Sequence, residues 1–483
     1  MKILSSSSNE PSNQPIDFIN LMNIIERHFE GKVVEKHLIR KAGIDFLPRF
    51  VSEFILGNLL DKTKPIDEEL LRVRQYVNEF YPDGNTGELI KHQIMDQGEI
   101  RLLQRIESFV DIAKSNYYAK IPILKEKLSI SSDLPNKYPS MLTTGIWGML
   151  NLQYAPNTET NIHINVRDFK PFQIGAFDRI EWFNARKHFS LKEWMTFLII
   201  SLGLNPAILN FDQQLLIMAR LLPLITKNLN IIELGPKSTG KTYHYRNHSS
   251  YAHLISGSAI TPAKFVYDLN KQIPGLISTN DVIIFDEITS TNFGDKKDFE
   301  MIGLLKDYME SGSVSRGKKS LTEDTSLVFL GNILIKDHKP KIQKFVAQLP
   351  KAFSETAFLD RIHGLLPGWS IPKLSQTNTT FSQYKGLMSN FFGEALHNLR
   401  SYDHPDLHWN ELDKEVGFIR NEKAIQRITT GLLAILFPGV TPSAEELKII
   451  LDLACMLRQN VYDQLTHLEP DEFKALTLKV SQQ

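Results

Sequence analysis

Gly235, Pro236, Lys237, Ser238, Thr239, Gly240, Lys241 and Thr242 form the segment that most constrains what this chain can fold into. Two glycines with four residues between them, then Lys and Thr, follow the apolar run IIEL directly and precede a plausible helix. That context reads as strand, loop and helix in one unit. Glycines let backbone N–H groups turn toward phosphates, and the N-terminus of the following helix favours their negative charge. Lys241 is then placed to reach β- and γ-phosphates and Thr242 to ligate Mg²⁺, so the expected ligands are ATP and Mg²⁺. From average composition, a chance match in a chain this long has a probability on the order of 2%, which leaves a plain surface turn as the weaker alternative.

The downstream sequence fits the same site. DVIIFDE is a buried-strand pattern ending in Asp286 and Glu287, at the spacing of an αβ crossover within one sheet. Asp286 is expected to hold Mg²⁺ through water, and Glu287 to polarise the attacking water. A third apolar strand, SLVFLGN, ends in Asn332, a candidate for orienting the water or sensing the γ-phosphate; a strand-terminal Asn is also a common turn residue. Arg361, in AFLDRIHGLLPGW, is expected in a short helix or turn after the last core strand, where AAA+ ATPases carry an arginine finger. A finger acts on a neighbour's γ-phosphate, so activity would require a ring; a salt bridge to Asp360 or Glu355 is the alternative. Arg420, in GFIRNEKAIQR, is the candidate lid sensor, with Arg427 as the alternate and a solvated helix charge as the ordinary reading.

At 483 residues the chain has room for about three domains of about 150 residues each. Hydrophobic residues at 42% and charged residues at 23% fit a globular protein rather than a disordered or membrane one. Lys plus Arg and Asp plus Glu both total 55, so no overall basic field exists and any contact with DNA must be local. Cys455 alone excludes disulfides and Cys-based zinc sites, and its apolar surroundings LDLACMLRQN predict a buried thiol. MKILSSSSNEPSNQP lacks the apolar stretch of a signal peptide, and no later window reaches the roughly 18 apolar residues of a spanning helix. The expected location is cytoplasmic, with no membrane partner.

Residues 1–15 read as a mobile tail. Residues 16–135 read as a helical N-terminal domain, from apolar spacing in FINLMNIIERHF, FLPRFVSEFILGNLL and IRLLQRIESFVDIA. Within it VVEKHLIRKAG and IDFLPRFVSEFILGNLL, joined at Gly43, outline a helix-turn-helix and a candidate DNA contact, although any helical hairpin looks the same. Residues 136–185 read as a small β module, TTGIWGMLNLQYAP and TNIHINVRDFKPFQI divided by PNTETN. The ATPase core spans 186–370, entered by a capping box at Ser190 and Glu193 with a Phe189–Trp194 staple. Residues 371–483 read as a helical lid and C-terminal tail, with a second capping box at Ser443 and Glu446.

Together, ELGPKSTGKTYHYR, LISGSAITPAKFVYD, VIIFDEI, LLKDYMESGSVSRGKKS, VFLGNI and AFLDRIHGLLPGW resemble the BrxL family, Lon-related AAA+ proteins of BREX phage-defence systems. The resemblance implies an N-terminal DNA-binding region, an AAA+ motor similar to that of MCM helicases, and a C-terminal Lon-protease-like domain. The fold class it implies is therefore an α/β P-loop NTPase core of AAA+, MCM/Lon-like type. After the lid helix only LEPDEFKALTLKVSQQ remains, too short to build a protease domain, so proteolysis is not expected of this chain. The MCM likeness also makes MESGSVSRGKKSLTEDTSLVF a β-hairpin pointing into a ring's pore, where Arg316, Lys318 and Lys319 would contact DNA phosphates. An exposed basic turn is the plain alternative.

These readings converge on a homo-oligomeric ring, a hexamer or stacked hexamers, that uses ATP to load on, move along or remodel double-stranded DNA alongside other phage-defence proteins. A protein-remodelling unfoldase or adaptor of a Lon-related protease system is the alternative, against which the Arg-Gly-Lys-Lys hairpin tip stands. A nucleotide-switched scaffold is a third class, and Glu287 argues against it.

Overall fold

The computed structural model describes residues 15–482 except 62, 113–114, 143–144, 158–161, 173–176, 257–259, 271, 290–295, 375–379 and 406, and, for side chains, also 140, 157 and 296–299. The expected tail lies almost wholly outside the described residues, as does part of the PNTETN turn. Two compact units result: His37–Gly175, and Met1–Lys36 together with Ala176–Gln483.

The first unit begins with helices α1 (Leu38–Ala42), α2 (Arg49–Leu59), α3 (Ile66–Phe80) and α4 (Gly87–Gln97). Gly43 ends α1 in the left-handed region at φ 67°, a conformation that glycine adopts without a Cβ penalty. The helix-turn-helix outline is thus present, but α2 exposes only Gly57 and Asn58, whereas a recognition helix must turn polar side chains outward.

After α4 the sequence expectation fails. IRLLQRIESFVDIA, expected as a helix, forms most of the strand β1 (Glu99–Asp111), and β2 (Asn116–Lys120) and β3 (Lys127–Ile130) follow within the region expected to be helical. With β4 (Ile146–Asn157) and β5 (Ile162–Pro171), the two strands that were expected, they close a barrel in the order β1-β2-β3-β5-β4. All its pairs are antiparallel except β3 with β5. This is a five-stranded Greek-key barrel, the architecture shared by OB-folds. Leu102, Ile106, Ala119, Leu128, Leu150, Leu152 and Phe169 pack into its core with Ile90 and Ile94 of α4. The cause of the misreading is visible in β1: the buried positions Leu102, Gln104, Ile106 and Ser108 alternate, but Leu103 between them is buried as well and two of the five are polar.

The second unit is built on a parallel sheet. Its strands are β6 (Asn230–Gly235), β7 (Ala252–Ser256), β8 (Val282–Asp286), β11 (Ser326–Asn332) and β12 (Gly364–Pro367); β9 (Ser313–Arg316) and β10 (Lys319–Thr322) form a separate hairpin. The sheet order is β12-β6-β11-β8-β7. Every residue of β6 is buried, as a strand covered on both faces requires. The strand β12 follows Arg361, so that residue precedes the last core strand instead of following it.

Around the sheet lie α5 (Leu191–Ser201), α6 (Phe211–Ile225), α7 (Lys241–His248), α8 (Lys296–Ser311), α9 (Ser389–Leu399), α10 (Ile419–Leu436) and α11 (Ala444–Leu468). Both capping boxes form: Ser190 and Ser443 accept from the N–H groups of Glu193 and Glu446, whose carboxylates accept in return. Phe189 and Trp194 meet at 5.3 Å between ring centres, as the staple predicts. The expected lid is packed into the body. Buried faces of α10 and α11 include Ile425, Ile428, Leu432, Leu453 and Leu457, and Asn460 of α11 donates to the Leu365 carbonyl of β12 at 3.1 Å. Nor is the C-terminus loose, since Lys479–Ser481 pairs antiparallel with Asp413–Glu415.

Cys455 is buried and its thiol pKa is pushed up to about 12 by that burial, as expected for an inert core cysteine. No described helix is long and apolar enough to cross a membrane.

If β1 is a barrel strand with Ile106 inward and Arg105 outward, Ile106→Ala will destabilise the barrel unit by about 2–5 kcal/mol while Arg105→Ala costs no more than ~0.5 kcal/mol. Urea titration of the two variants, read on the unit's unfolding transition, checks this.

Candidate nucleotide site

A parallel sheet delivers the loops after its strands to one edge, and there ligands bind where the chain reverses its winding. Strand β6 opens into the glycine loop, and its neighbour β11 runs parallel to it in a register that sets Asn332 opposite Gly235. On the far side of β11, β8 ends at Asp286. Three separated pieces of sequence therefore meet at one edge.

Their side chains are in contact. Thr242 donates its hydroxyl proton to Asp286 Oδ2 at 2.8 Å, and Lys241 Nζ donates to Asn332 Oδ1 at 3.1 Å. The lysine also caps the Pro236 carbonyl at 2.7 Å and the Gly235 carbonyl at 3.3 Å. Burial lowers the Lys241 pKa from its ordinary value, with Glu233 acting in the opposite sense. Gly240 and Ser238 both adopt positive φ, 77° and 67°, which bends the loop back on itself before α7 begins. Lys237 and Ser238 are exposed at its rim. A hydroxyl beside a carboxylate is an all-oxygen pair that fits a hard cation such as Mg²⁺.

Glu287 is exposed and holds φ at 57°, a strained value for a residue with a Cβ, while its N–H donates to Asp286 Oδ1 at 2.9 Å. Strain of this kind at the end of a core strand is retained where the surroundings enforce it.

Beneath the loop lies a buried pair that the sequence reading missed. Arg220 of α6 and Glu233 of β6, each 1% exposed, are joined by two hydrogen bonds of 3.0 and 2.6 Å. The signal was available: a glutamate inside IIELG, a strand buried on both faces, demands a partner.

The other two expected arginines stand elsewhere. Arg361 pairs with Glu310 at 3.2 Å and donates to the Ala357 carbonyl; neither Asp360 nor Glu355 is its partner. Arg420 pairs with the same Glu310 at 2.7 Å and also with Asp360, which in turn receives Arg458 at 3.0 Å. Arg361 lies by Asn230, the first residue of β6, whose side chain donates to the Arg361 carbonyl at 3.4 Å. The glycine loop leaves the other end of that strand, about 16 Å away. Arg420 is thus not held over its own chain's phosphate loop, as a lid sensor would be. Its alternate, Arg427, is half-buried and occupied by the Asn228 carbonyl and His363.

The basic hairpin forms as expected, immediately before β11. Lys318 and Lys319 are exposed, but Arg316 turns back to donate to the Tyr267 carbonyl and Lys319 lies 5.5 Å from the centre of the Tyr267 ring.

A five-stranded parallel sheet in this order, with a phosphate loop after β6 and an Asp-Glu pair at the end of β8, defines a P-loop ATPase core of the AAA+ kind. Residues 164–479 match the family described as "Lon-like protease BrxL-like, ATPase domain", and residues 27–154 match "BREX system Lon protease-like protein BrxL N-terminal". Among similar proteins, the Lon-like protease BrxL of Escherichia coli O9:H4 (strain HS) is 31% identical over 480 residues, covering 97% of this chain and 67% of that protein. The Lon-like protease BrxL of Bacillus cereus (strain H3081.97) is 29% identical over 463 residues, covering 93% of this chain and 67% of its own length. The chain belongs to the BrxL family of BREX defence systems and carries its ATPase domain.

A Cβ at Gly235 would stand 2.6 Å from the Gly368 carbonyl carbon and 2.9 Å from the Trp369 nitrogen. Gly235→Ala should therefore displace the start of the loop, and titration with a fluorescent ATP analogue should show binding weakened at least ~10-fold, or ~1.4 kcal/mol.

Proposed function

We propose that this chain is a ring-forming, DNA-binding ATPase of BREX-type antiphage defence that uses ATP hydrolysis to load on, move along or remodel double-stranded DNA in the cytoplasm. The observation that carries this reading is the separation of the site's parts. Lys241, Thr242, Asp286 and Asn332 converge at one edge of the sheet, while Arg361 and Arg420 share Glu310 at the opposite edge. Arginines so placed cannot reach their own chain's triphosphate, whereas a second copy stacked edge to edge can receive them.

In this reading the N–H groups of the loop and Lys241 bind the triphosphate, and Asn332 holds Lys241 and the attacking water in place. Thr242 and Asp286 would hold Mg²⁺, which would supply positive charge against that developing on the phosphates. Glu287, exposed beside Asp286, orients and deprotonates the attacking water. Arg361 and Arg420, presented by a neighbour, stabilise the transition-state charge. Energy released there is coupled to a polymer in the pore through the β9–β10 hairpin, where Lys318 and Lys319 from each copy add up to a strong local cationic ring despite a net charge of zero.

One observation favours a second reading. The paired segments Tyr267–Asp268 and Ile273–Pro274 lie against the basic hairpin; Ile273 is exposed (54%), as is Leu269 (46%), which directly follows the first segment. Exposed apolar side chains suit a protein-threading pore, so a protein-remodelling unfoldase remains the alternative; stimulation of ATPase by unfolded protein and not by duplex DNA would select it.

Glu287→Gln and Arg361→Ala should each bind MgATP normally yet lose at least ~10²-fold in turnover. Mixed and reassembled, the two should regain a measurable share of the parental rate, because some junctions combine an intact loop with an intact arginine edge. A mixture as inactive as its parts would mean that Arg361 does not act across a subunit boundary.

Lys318→Glu with Lys319→Glu should weaken duplex binding and flatten the dependence of log affinity on log salt, by roughly one unit of slope per lost phosphate contact. Fluorescence anisotropy across a salt series reads both, and an unchanged slope would remove the hairpin from the DNA path.

A further inference from the structure

A phosphate loop binds through backbone N–H groups, and the direction of each is set by the carbonyl on the same peptide. A planar trans peptide points C=O and N–H to opposite sides, so fixing one aims the other. In this loop two successive carbonyls are held from behind. Ser238 C=O accepts from the Leu374 N–H at 2.8 Å, and Thr239 C=O accepts from Arg220 Nη1 at 3.1 Å. The amides that share those peptides, Thr239 N–H and Gly240 N–H, consequently face away from the anchors.

Arg220 is itself immobilised. Its Nε donates to Glu233 Oε2 and its Nη2 to Glu233 Oε1, which leaves Nη1 aimed at the loop. Tyr245 of α7 donates its hydroxyl to the Arg220 carbonyl at 2.7 Å, tying the helix behind the loop to the same point. Three donors in fixed directions require a guanidinium; an ammonium cannot span a bidentate carboxylate and a separate carbonyl. As a stability device the pair is hard to justify, because a buried ion pair is often no more stabilising than a well-packed apolar one. Its orientation of the loop gives it a reason to exist.

We propose that Arg220, locked by Glu233, is a positioning residue for nucleotide binding: by holding the Thr239 carbonyl it aims the Gly240 amide at the phosphates. The inference rests on the ATPase reading of the same loop. Arg220→Met with Glu233→Leu removes both charges together and keeps the volume filled, so the fold should persist while the amide loses its aim. In the full chain the expected result is a KM for MgATP raised at least ~10-fold, with a smaller change in kcat and an unfolding temperature in the absence of nucleotide close to the parent's. Arg220→Lys, which retains the charge beside Glu233 but not the fork, should lie between the two and supplies the same readout if the double variant does not fold. A folded variant with the parental KM overturns the proposal, provided Lys241→Ala has lost MgATP binding under the same conditions. Should Lys241→Ala bind as the parent does, the loop is not a phosphate site and the ATPase reading itself fails.

Discussion

The parallel pairing of β6 with β11 is the constraint from which the site follows. Its register sets Gly235 opposite Asn332, and the Lys241 ammonium spans from the loop carbonyls to the Asn332 side chain across that pair. A slip of one residue would turn every side chain of β6 to the other face, breaking the Glu233 contact with Arg220 and moving the loop out of reach of Asp286. Both faces of β6 are buried, so burial alone would not resist such a slip; the register is held by what it would break, the two hydrogen bonds of Glu233 to Arg220 and that of Lys241 to Asn332.

The sheet's polarity then separates two kinds of chemistry. Carboxylate, hydroxyl and lysine gather where the strands end, and arginines gather where they begin. Glu310 and Asp360 hold Arg361, Arg420 and Arg458 in one ion-paired group at the second edge. Such a group keeps the partly exposed guanidiniums of Arg361 and Arg420 in fixed directions over the buried Arg458 at little cost in side-chain entropy, since each carboxylate serves more than one partner. Membership of the BrxL family gives this arrangement a biological setting, a BREX defence system, without altering the geometry.

The Greek-key barrel in residues 37–175 is the larger revision to the picture drawn from sequence. Leu- and Glu-rich β1 favours helix by local propensity, and only pairing with β2 and β4 makes it a strand. Polar Gln104 and Ser108 at inward positions hid the alternation. The β4 and β5 segments were legible because alternating and β-branched residues there agreed with the final pairing.

The sequence by itself determined the phosphate loop, the Asp286–Glu287 pair, Asn332, the capping boxes and the basic hairpin, because each depends on residues close together in the chain and on backbone preferences they carry with them. Tertiary structure decided the rest. Arg420 joined Arg361 instead of a lid, the last helices packed into the body, and Arg220 came to support a loop that follows it by nineteen positions at its Thr239 contact. Those outcomes depend on which surfaces meet after the sheet closes, and no local spacing encodes that.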